Sequence, residues 1–148
     1  QSDLIYFVED DYLHYDHSLV DMLDTYERIS SQHKDEIIVC PSDYPFNYMT
    51  NEKTNILIGS QQHWRIITKM LCTFMISKKM FQKHINNFEK TCEKRHDPFE
   101  KYLNEVLQKE IAISPIKSLA IHLTNVNSSY GLSPFIDYKK LWDENKVK

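Results

Sequence analysis

The chain has 148 residues, of which 41% are hydrophobic and 26% charged, and its formal net charge is −3. Such a composition is typical of one globular domain with a buried core, and without net positive charge nucleic acid is not the expected partner. The three cysteines are widely spaced, which argues against a zinc cluster or a disulfide framework and favours a reducing, cytoplasmic setting. The two glycines form no glycine-rich phosphate loop, and no apolar stretch approaches the roughly 20 residues that span a bilayer.

Three consecutive carboxylates follow the first apolar run. Leu4–Val8 is short, continuous and rich in β-branched and aromatic residues, which predicts a buried strand. Glu9, Asp10 and Asp11 follow it and repel one another unless a positive charge lies between them. Ligands of open α/β sheets bind at the carboxyl ends of strands. A divalent cation that bridges to a diphosphate is therefore one interpretation, and a solvated acidic turn is the other.

Helical and strand patterns alternate along the rest of the chain, which predicts a mixed α/β sheet with helices on its faces. The first helix has an apolar stripe that we expect to face the core: Leu19, Val20, Leu23, Tyr26 and Ile29. Further helices are predicted at residues 77–92, 99–109 and 138–148, and further strands at residues 37–40, 55–58, 70–76, 111–113 and 118–122. No internal repeat or domain boundary is visible, so residues 1–148 are treated as a single domain or as part of one.

Two segments between these elements carry side chains suited to binding. Pro41–Tyr48 is a loop stiffened by two prolines, and it presents Asp43 and Tyr44. In the polar cluster at residues 61–65, His63 precedes Trp64, which offers a flat face to a sugar or base, and Arg65, which suits phosphate or carboxylate. A surface corner with a half-buried tryptophan explains the same residues equally well.

Two further residues have a structural and a functional interpretation. Asp97 precedes Pro98 and is a natural N-cap of the helix that follows. His122 ends an apolar run, where a histidine is more often a satisfied core residue than a ligand.

In order along the chain, the segments 6–12, 41–45 and 63–65, with the strand 72–74 behind the last, resemble the catalytic half of a bacterial-type, DxD-containing GT-A glycosyltransferase. Residues 114–122 and 132–134 are similar to the C-terminal portion of that group. The resemblance implies a GT-A-like fold in which the acidic motif ends a central strand. It also implies metal-dependent transfer of a sugar from a nucleotide-diphosphate sugar to a hydroxyl of a saccharide or lipid-linked acceptor.

The resemblance implies a role for each candidate residue. Mn²⁺ or Mg²⁺ would be held by Glu9, Asp10, Asp11 and His122. Substrate would be contacted by His63, Trp64, Arg65 and Tyr44. The catalytic base would be Asp97, with Asp43 next in line.

One departure from the family pattern leaves alternatives open. The nucleotide-binding portion that normally precedes the acidic strand is absent from this sequence. Either it lies upstream of Gln1 in a longer protein, or the chain is a reduced or non-catalytic relative, such as a carbohydrate-binding or assembly module. A metal-dependent phosphoesterase would need more ligands than His63 and His122 offer.

Overall fold

The structure is a computed structural model and describes residues 3–93, 98–127 and 132–146. These residues form eight strands, five α-helices and two short 3-10 helices at Pro45–Tyr48 and Leu123–Asn127. The strands are β1 (Leu4–Phe7), β2 (Tyr12–His14), β3 (Ile38–Val39), β4 (Ile56–Ile58), β5 (His63–Ile66), β6 (Phe74–Ser77), β7 (Ala112–Pro115) and β8 (Ala120–His122). The helices are α1 (Ser18–His33), α2 (Lys78–Lys83), α3 (Ile85–Glu93), α4 (Lys101–Leu107) and α5 (Tyr138–Asn145).

Six of the strands form one mixed sheet in the order β1-β6-β3-β7-β5-β4. β3 and β7 run parallel, whereas the other neighbours run antiparallel. The predicted mixed α/β class is therefore confirmed. Among the described strands β1 pairs with β6 alone, so it lies at an edge of this sheet rather than at its centre. The polar cluster at residues 61–65 runs into strand β5 instead of forming a surface corner.

Helix α1 buries a different face from the one that its apolar spacing predicts. Three of the predicted core residues are between 40% and 60% exposed: Leu19, Val20 and Leu23. The face that is buried consists of Ser18, Asp21, Met22, Thr25, Tyr26 and Ile29. Polar residues can lie there because they are hydrogen-bonded: Thr25 Oγ1 donates to Asp21 Oδ1 at 3.2 Å, and Gln62 Nε2 donates to Asp21 Oδ2 at 3.0 Å.

The core consists of two apolar clusters, one on each face of the sheet. The cluster beneath α1 includes Met22, Tyr26, Ile29, Val39, Trp64, Met75 and Ile113. The cluster beneath α2 and α4 includes Tyr12, Ile38, Phe74, Ile76, Met80, Leu103, Val106 and Leu107. Neighbouring residues of a strand alternate between the two clusters because successive side chains of a strand point to opposite faces.

The predicted helix at residues 77–92 is interrupted. Ser77 caps its first part, since Ser77 Oγ accepts a hydrogen bond from the Met80 amide at 3.1 Å. The break falls at His84, whose Nε2 lies 2.6 Å from Glu110 Oε1. The next helix, α4, begins at Lys101 with Glu100 in the N-cap position. Asp97, the predicted cap, lies outside the described residues.

A second, two-stranded sheet is formed by β2 and β8. The strands are antiparallel, and Tyr12 is paired with His122. Helix α5 packs against β2, where Asn145 Nδ2 donates to the His14 carbonyl at 3.0 Å. This small sheet positions the acidic turn, because it brings the chain just after the three carboxylates beside the end of β8. No helix in the described part of the chain is long and apolar enough to cross a membrane.

Candidate functional site

The three carboxylates lie in the connection between β1 and β2, and they differ in exposure. The Glu9 amide donates to Thr73 Oγ1 at 3.0 Å, which fixes the start of the turn to the residue before β6. Asp10 is exposed, whereas Glu9 and Asp11 are partly buried. The turn thus holds two of its carboxylates against the protein and one in solvent.

Asp11 contacts His122. The pairing of Tyr12 with His122 places the residue before Tyr12 at the end of β8. As a result His122 Nε2 lies 2.7 Å from Asp11 Oδ2, although 111 positions separate the two residues. The Tyr12 ring stacks on the imidazole, with centroids 4.9 Å apart and 17° between the planes. The structure therefore brings Asp11 and His122 together.

Glu9 adds a second carboxylate to this region. Its Oε2 atom is buried and has no hydrogen-bond partner among the described residues. Burial raises the pKa of the Glu9 carboxyl; the neighbouring His122 opposes this effect, and the charges of Asp11 and Glu100 add to it. A buried carboxylate oxygen without a partner costs free energy, a cost that a proton on the carboxyl or a cation beside it would relieve.

The carboxylates are the part of this donor set that suits a hard divalent cation. Mg²⁺ and Mn²⁺ prefer carboxylate oxygens. Asp11 Oδ2 and His122 Nε2 lie 2.7 Å apart, the distance of a hydrogen bond or ion pair, which a metal ion bound by both atoms would replace. Among residues 3–93, 98–127 and 132–146, no group of three or more His, Cys, Asp or Glu side chains is arranged to hold a metal ion. The protein would therefore supply two contacting ligands and the nearby Glu9 carboxylate.

Asp43, in the loop after β3, lies at the centre of a buried polar network. Its Oδ2 accepts hydrogen bonds from Tyr48 at 2.5 Å and from Ser133. Its Oδ1 lies 3.1 Å from Arg65 Nη2, an ion pair that lacks the alignment of a hydrogen bond. Arg65 Nη2 also donates to the Tyr48 hydroxyl at 2.5 Å, and its Cζ lies 4.4 Å from the Tyr48 ring centroid.

This network excludes the predicted role of Asp43 as a base. The Asp43 side chain is 0% exposed, so no acceptor hydroxyl can reach it. Burial raises the pKa of Asp43, and the hydrogen bonds from Ser133 and Tyr48 and the charge of Arg65 oppose the rise. Arg65 is correspondingly engaged with protein groups rather than free for phosphate. The ion pair between Asp43 and Arg65 joins the loop after β3 to strand β5.

Tyr44 and Trp64 are core residues, with exposed fractions of 1% and 0%. The Tyr44 hydroxyl lies 2.6 Å from the Tyr12 hydroxyl. Trp64 packs so closely on Gly59 that a Cβ atom at residue 59 would lie 2.3 Å from the indole. Neither ring has an exposed face on which a sugar could stack, so the prediction of substrate contacts at these two positions is wrong.

His63, Trp64 and Arg65 do not line a common cleft. They are consecutive residues of β5, and a strand places alternate side chains on opposite faces. Trp64 belongs to the cluster beneath α1, whereas Tyr12, next to the acidic turn, belongs to the cluster on the other face. His63 is exposed on the surface. Of the three, Arg65 alone lines the cavity described next.

A cavity of about 650 Å³ lies between the segment at residues 46–54, the segment at residues 65–71 and the start of α4. Glu100 lines it, and the charge of Glu100 also contributes to the raised pKa of Glu9. Glu100 is not among the residues predicted from the sequence, for which the resemblance implies Asp97 as the base. The role of Asp97 stays a prediction, because that residue lies outside the described residues.

Comparison of the chain with protein-family models, with curated proteins and with solved structures finds no significant match.

Proposed function

We propose that the chain acts in metal-dependent glycosyl transfer, from a nucleotide-diphosphate sugar to a hydroxyl acceptor. The observation that carries the proposal is the contact between Asp11 and His122. It joins the acidic turn to a histidine that lies 111 positions later in the chain, so that a carboxylate and an imidazole, both possible metal ligands, meet at hydrogen-bonding distance. The sheet is of the mixed α/β class, and a GT-A-like form of that class is part of the same proposal.

In this proposal Asp11 and His122 bind Mn²⁺ or Mg²⁺, and the unpaired Glu9 Oε2 completes the protein's share of the site. When bound, such an ion acts as a Lewis acid on the diphosphate leaving group. Tyr12 keeps the imidazole in one orientation by stacking on it, and the Leu123 amide holds the Asp11 carbonyl at 2.9 Å. The site is thus oriented by β2 and β8 before any ligand arrives.

We assign removal of the acceptor's proton to a carboxylate that lies near the cavity. An acceptor hydroxyl in the cavity would lie near Glu100, which lines the cavity and whose charge acts on Glu9. A carboxylate in that place would take the proton as the new glycosidic bond forms, a contribution of about 10²–10⁴-fold. Asp97, which lies outside the described residues, is the other candidate for this role.

One observation favours the alternative, a non-catalytic carbohydrate-binding or assembly module. In the described part of the chain no third ligand joins Asp11 and His122 in a ready metal site. A module of this kind would keep the cavity and would not respond to nucleotide or metal.

Thermal unfolding in the presence of Mn²⁺ and a panel of nucleotide-diphosphate sugars separates the two functions. A ligand at 100 times its Kd stabilises a protein by about 2.7 kcal/mol, which for a chain of this size raises Tm by roughly 5–10 °C. We expect such a rise for the wild type with one nucleotide sugar, and only when Mn²⁺ is present.

Two variants of the acidic turn test whether the rise in Tm depends on the proposed metal site. Asp11→Asn is expected to abolish the rise, whereas Asp10→Asn, at the exposed neighbour, is expected to retain most of it. A rise with free saccharide that needs neither Mn²⁺ nor nucleotide would support the module. An undiminished response of Asp11→Asn would contradict the proposed metal site.

A further inference from the structure

The loop that follows β3 is bonded to the start of β8, the strand that ends at His122. The Pro41 carbonyl accepts hydrogen bonds from the Leu119 amide at 2.8 Å and from the Ala120 amide at 3.2 Å. Ser42 Oγ donates to the Ala120 carbonyl at 2.9 Å. Three hydrogen bonds thus fix the beginning of the short strand that carries the histidine of the candidate site.

Tyr44, in the same loop, contacts the other strand of the small sheet. Its hydroxyl lies 2.6 Å from the hydroxyl of Tyr12 in β2, and both side chains are buried. Burial raises the pKa of each hydroxyl, so both keep their protons at neutral pH and one donates to the other. This hydrogen bond acts at the far end of the Tyr12 ring, so it opposes a swing of the side chain to another rotamer.

The loop is anchored to the large sheet on its other side. Asp43 Oδ1 lies 3.1 Å from Arg65 Nη2 of β5, and Ser114 Oγ of β7 donates to the Ser42 carbonyl at 2.8 Å. The Tyr44 ring also stacks on Phe46, with centroids 5.0 Å apart. Because these contacts come from outside the small sheet, the loop is a fixed support against which β2 and β8 are held.

Tyr12 connects this support to the candidate metal ligands. Its ring stacks on the His122 imidazole with centroids 4.9 Å apart, and it directly follows Asp11 in the chain. His122 Nε2 lies 2.7 Å from Asp11 Oδ2. A displacement of the Tyr12 ring would therefore disturb the imidazole and the neighbouring carboxylate together. Groups that orient metal ligands without touching the ion contribute to its affinity.

We infer that Tyr44 is a positioning residue, which through its hydrogen bond to Tyr12 holds the His122 imidazole beside Asp11. Its effect on metal binding rests on the proposed function, whereas its effect on the imidazole does not. A purely structural role of the same hydroxyl predicts a change in Tm and no change at His122.

The test is the variant Tyr44→Phe, which removes the hydroxyl and keeps the ring. The first readout is the NMR resonance of the His122 Cε1 proton in the metal-free chain, assigned by its absence from His122→Ala. We expect this resonance to move, because the ring current of the stacked Tyr12 acts on it. The second readout is Mn²⁺ affinity, which we expect to fall by about threefold to tenfold, the equivalent of one hydrogen bond.

The matched control is Tyr26→Phe. The Tyr26 hydroxyl donates to Glu36 Oε2, and its ring belongs to the cluster beneath α1, on the opposite face of the sheet from Tyr12. The control removes the same atom from another buried tyrosine, so it should lower Tm to a similar extent. It should leave both the His122 resonance and the Mn²⁺ affinity unchanged.

Tyr12→Phe removes the same hydrogen bond from its other side, and it decides by the same readouts if Tyr44→Phe folds poorly. Because the two substitutions delete one interaction, the double variant should move the His122 resonance no further than either single variant. The inference is overturned if Tyr44→Phe leaves the His122 resonance where Tyr26→Phe leaves it, or if the two shifts add. Failure of the wild type to bind Mn²⁺ would contradict the proposed function, and the metal-free resonance would still decide the role of Tyr44.

Discussion

Replacement of Arg65 by methionine tests the buried network around Asp43. Methionine keeps an unbranched apolar side chain but removes the charge that lies 3.1 Å from Asp43 Oδ1. It also removes the hydrogen bond to Tyr48 and the contact with its ring. Asp43 then keeps two hydroxyl donors and no counter-ion, in a position where its side chain is 0% exposed.

The expected loss is large because the remaining charge stays buried. Removing one partner of a buried ion pair costs about 3–5 kcal/mol. For a chain of this size each kcal/mol lowers Tm by about 2–4 °C, so Arg65→Met should lower Tm by roughly 6–20 °C. Arg28→Met is the control, since Arg28 is exposed on α1 and its replacement should change the free energy of unfolding by less than about 0.5 kcal/mol.

The pH dependence gives a second test of the same network. Burial already raises the pKa of Asp43, and loss of the guanidinium removes one of the effects that oppose the rise. A carboxyl with a higher pKa in the folded state contributes stability that is present below its unfolded pKa and is lost as pH rises through its folded pKa. The deficit of Arg65→Met should therefore be largest at neutral pH and smaller in acid.

Thermal unfolding measures the change in Tm, and urea unfolding at several pH values, followed by tryptophan fluorescence, measures the loss of free energy and its pH dependence. Trp64 is fully buried and so reports on the core. If Arg65→Met lowers the free energy of unfolding as little as Arg28→Met does, the ion pair between Arg65 and Asp43 does not stabilise the fold. A deficit that stays constant between neutral and acidic pH would refute the assignment of the cost to the Asp43 charge.

Two further substitutions test the packing of the core and the acidic turn. Gly59→Ala places a Cβ atom 2.3 Å from the Trp64 indole and 2.9 Å from the Gln62 carbonyl oxygen. This overpacking should lower the free energy of unfolding, measured in urea, by about 1–3 kcal/mol. A loss no greater than that of the control variant Ser60→Ala would refute the close contact. Glu9→Gln removes a charge that burial disfavours, as the raised pKa of Glu9 indicates. It should leave Tm at neutral pH unchanged or higher while weakening Mn²⁺ binding in a calorimetric titration, and unchanged metal affinity would exclude Glu9 as a ligand.

Local sequence signals predict most of the elements but not the way they pair. The strand after Gly59 is missed because polar residues dominate its sequence. The break at His84 is missed because the helical periodicity of the sequence continues through it. The face of α1 is misjudged because Asp21 and Thr25 satisfy each other and are buried. Apolar spacing cannot reveal such pairs, since the hydrogen bonds that make their burial possible come from tertiary structure.

In the candidate site, too, the sequence predicts local features but not the contacts made by tertiary structure. The position of the acidic turn follows from the end of an apolar run, and the family resemblance relates it to His122. The contact itself depends on the pairing of β2 with β8, and β2 has no distinct signal in the sequence. For Trp64 the misleading signal is its polar neighbours, which suggest a surface position although the indole is 0% exposed.

Direct measurement of Mn²⁺ binding is the sharpest test of the central claim that Asp11 and His122 hold a metal ion together. Electron paramagnetic resonance of free Mn²⁺, titrated with protein at neutral pH, gives the affinity of the wild type, Asp11→Asn, His122→Ala and Asp10→Asn. We predict that the wild type binds Mn²⁺ and that Asp11→Asn and His122→Ala each bind at least about 10-fold more weakly, since even outer partners of a metal site contribute 10- to 100-fold. Asp10→Asn should stay close to the wild type. Binding that is retained in both Asp11→Asn and His122→Ala, or that is lost only in Asp10→Asn, would contradict the claim.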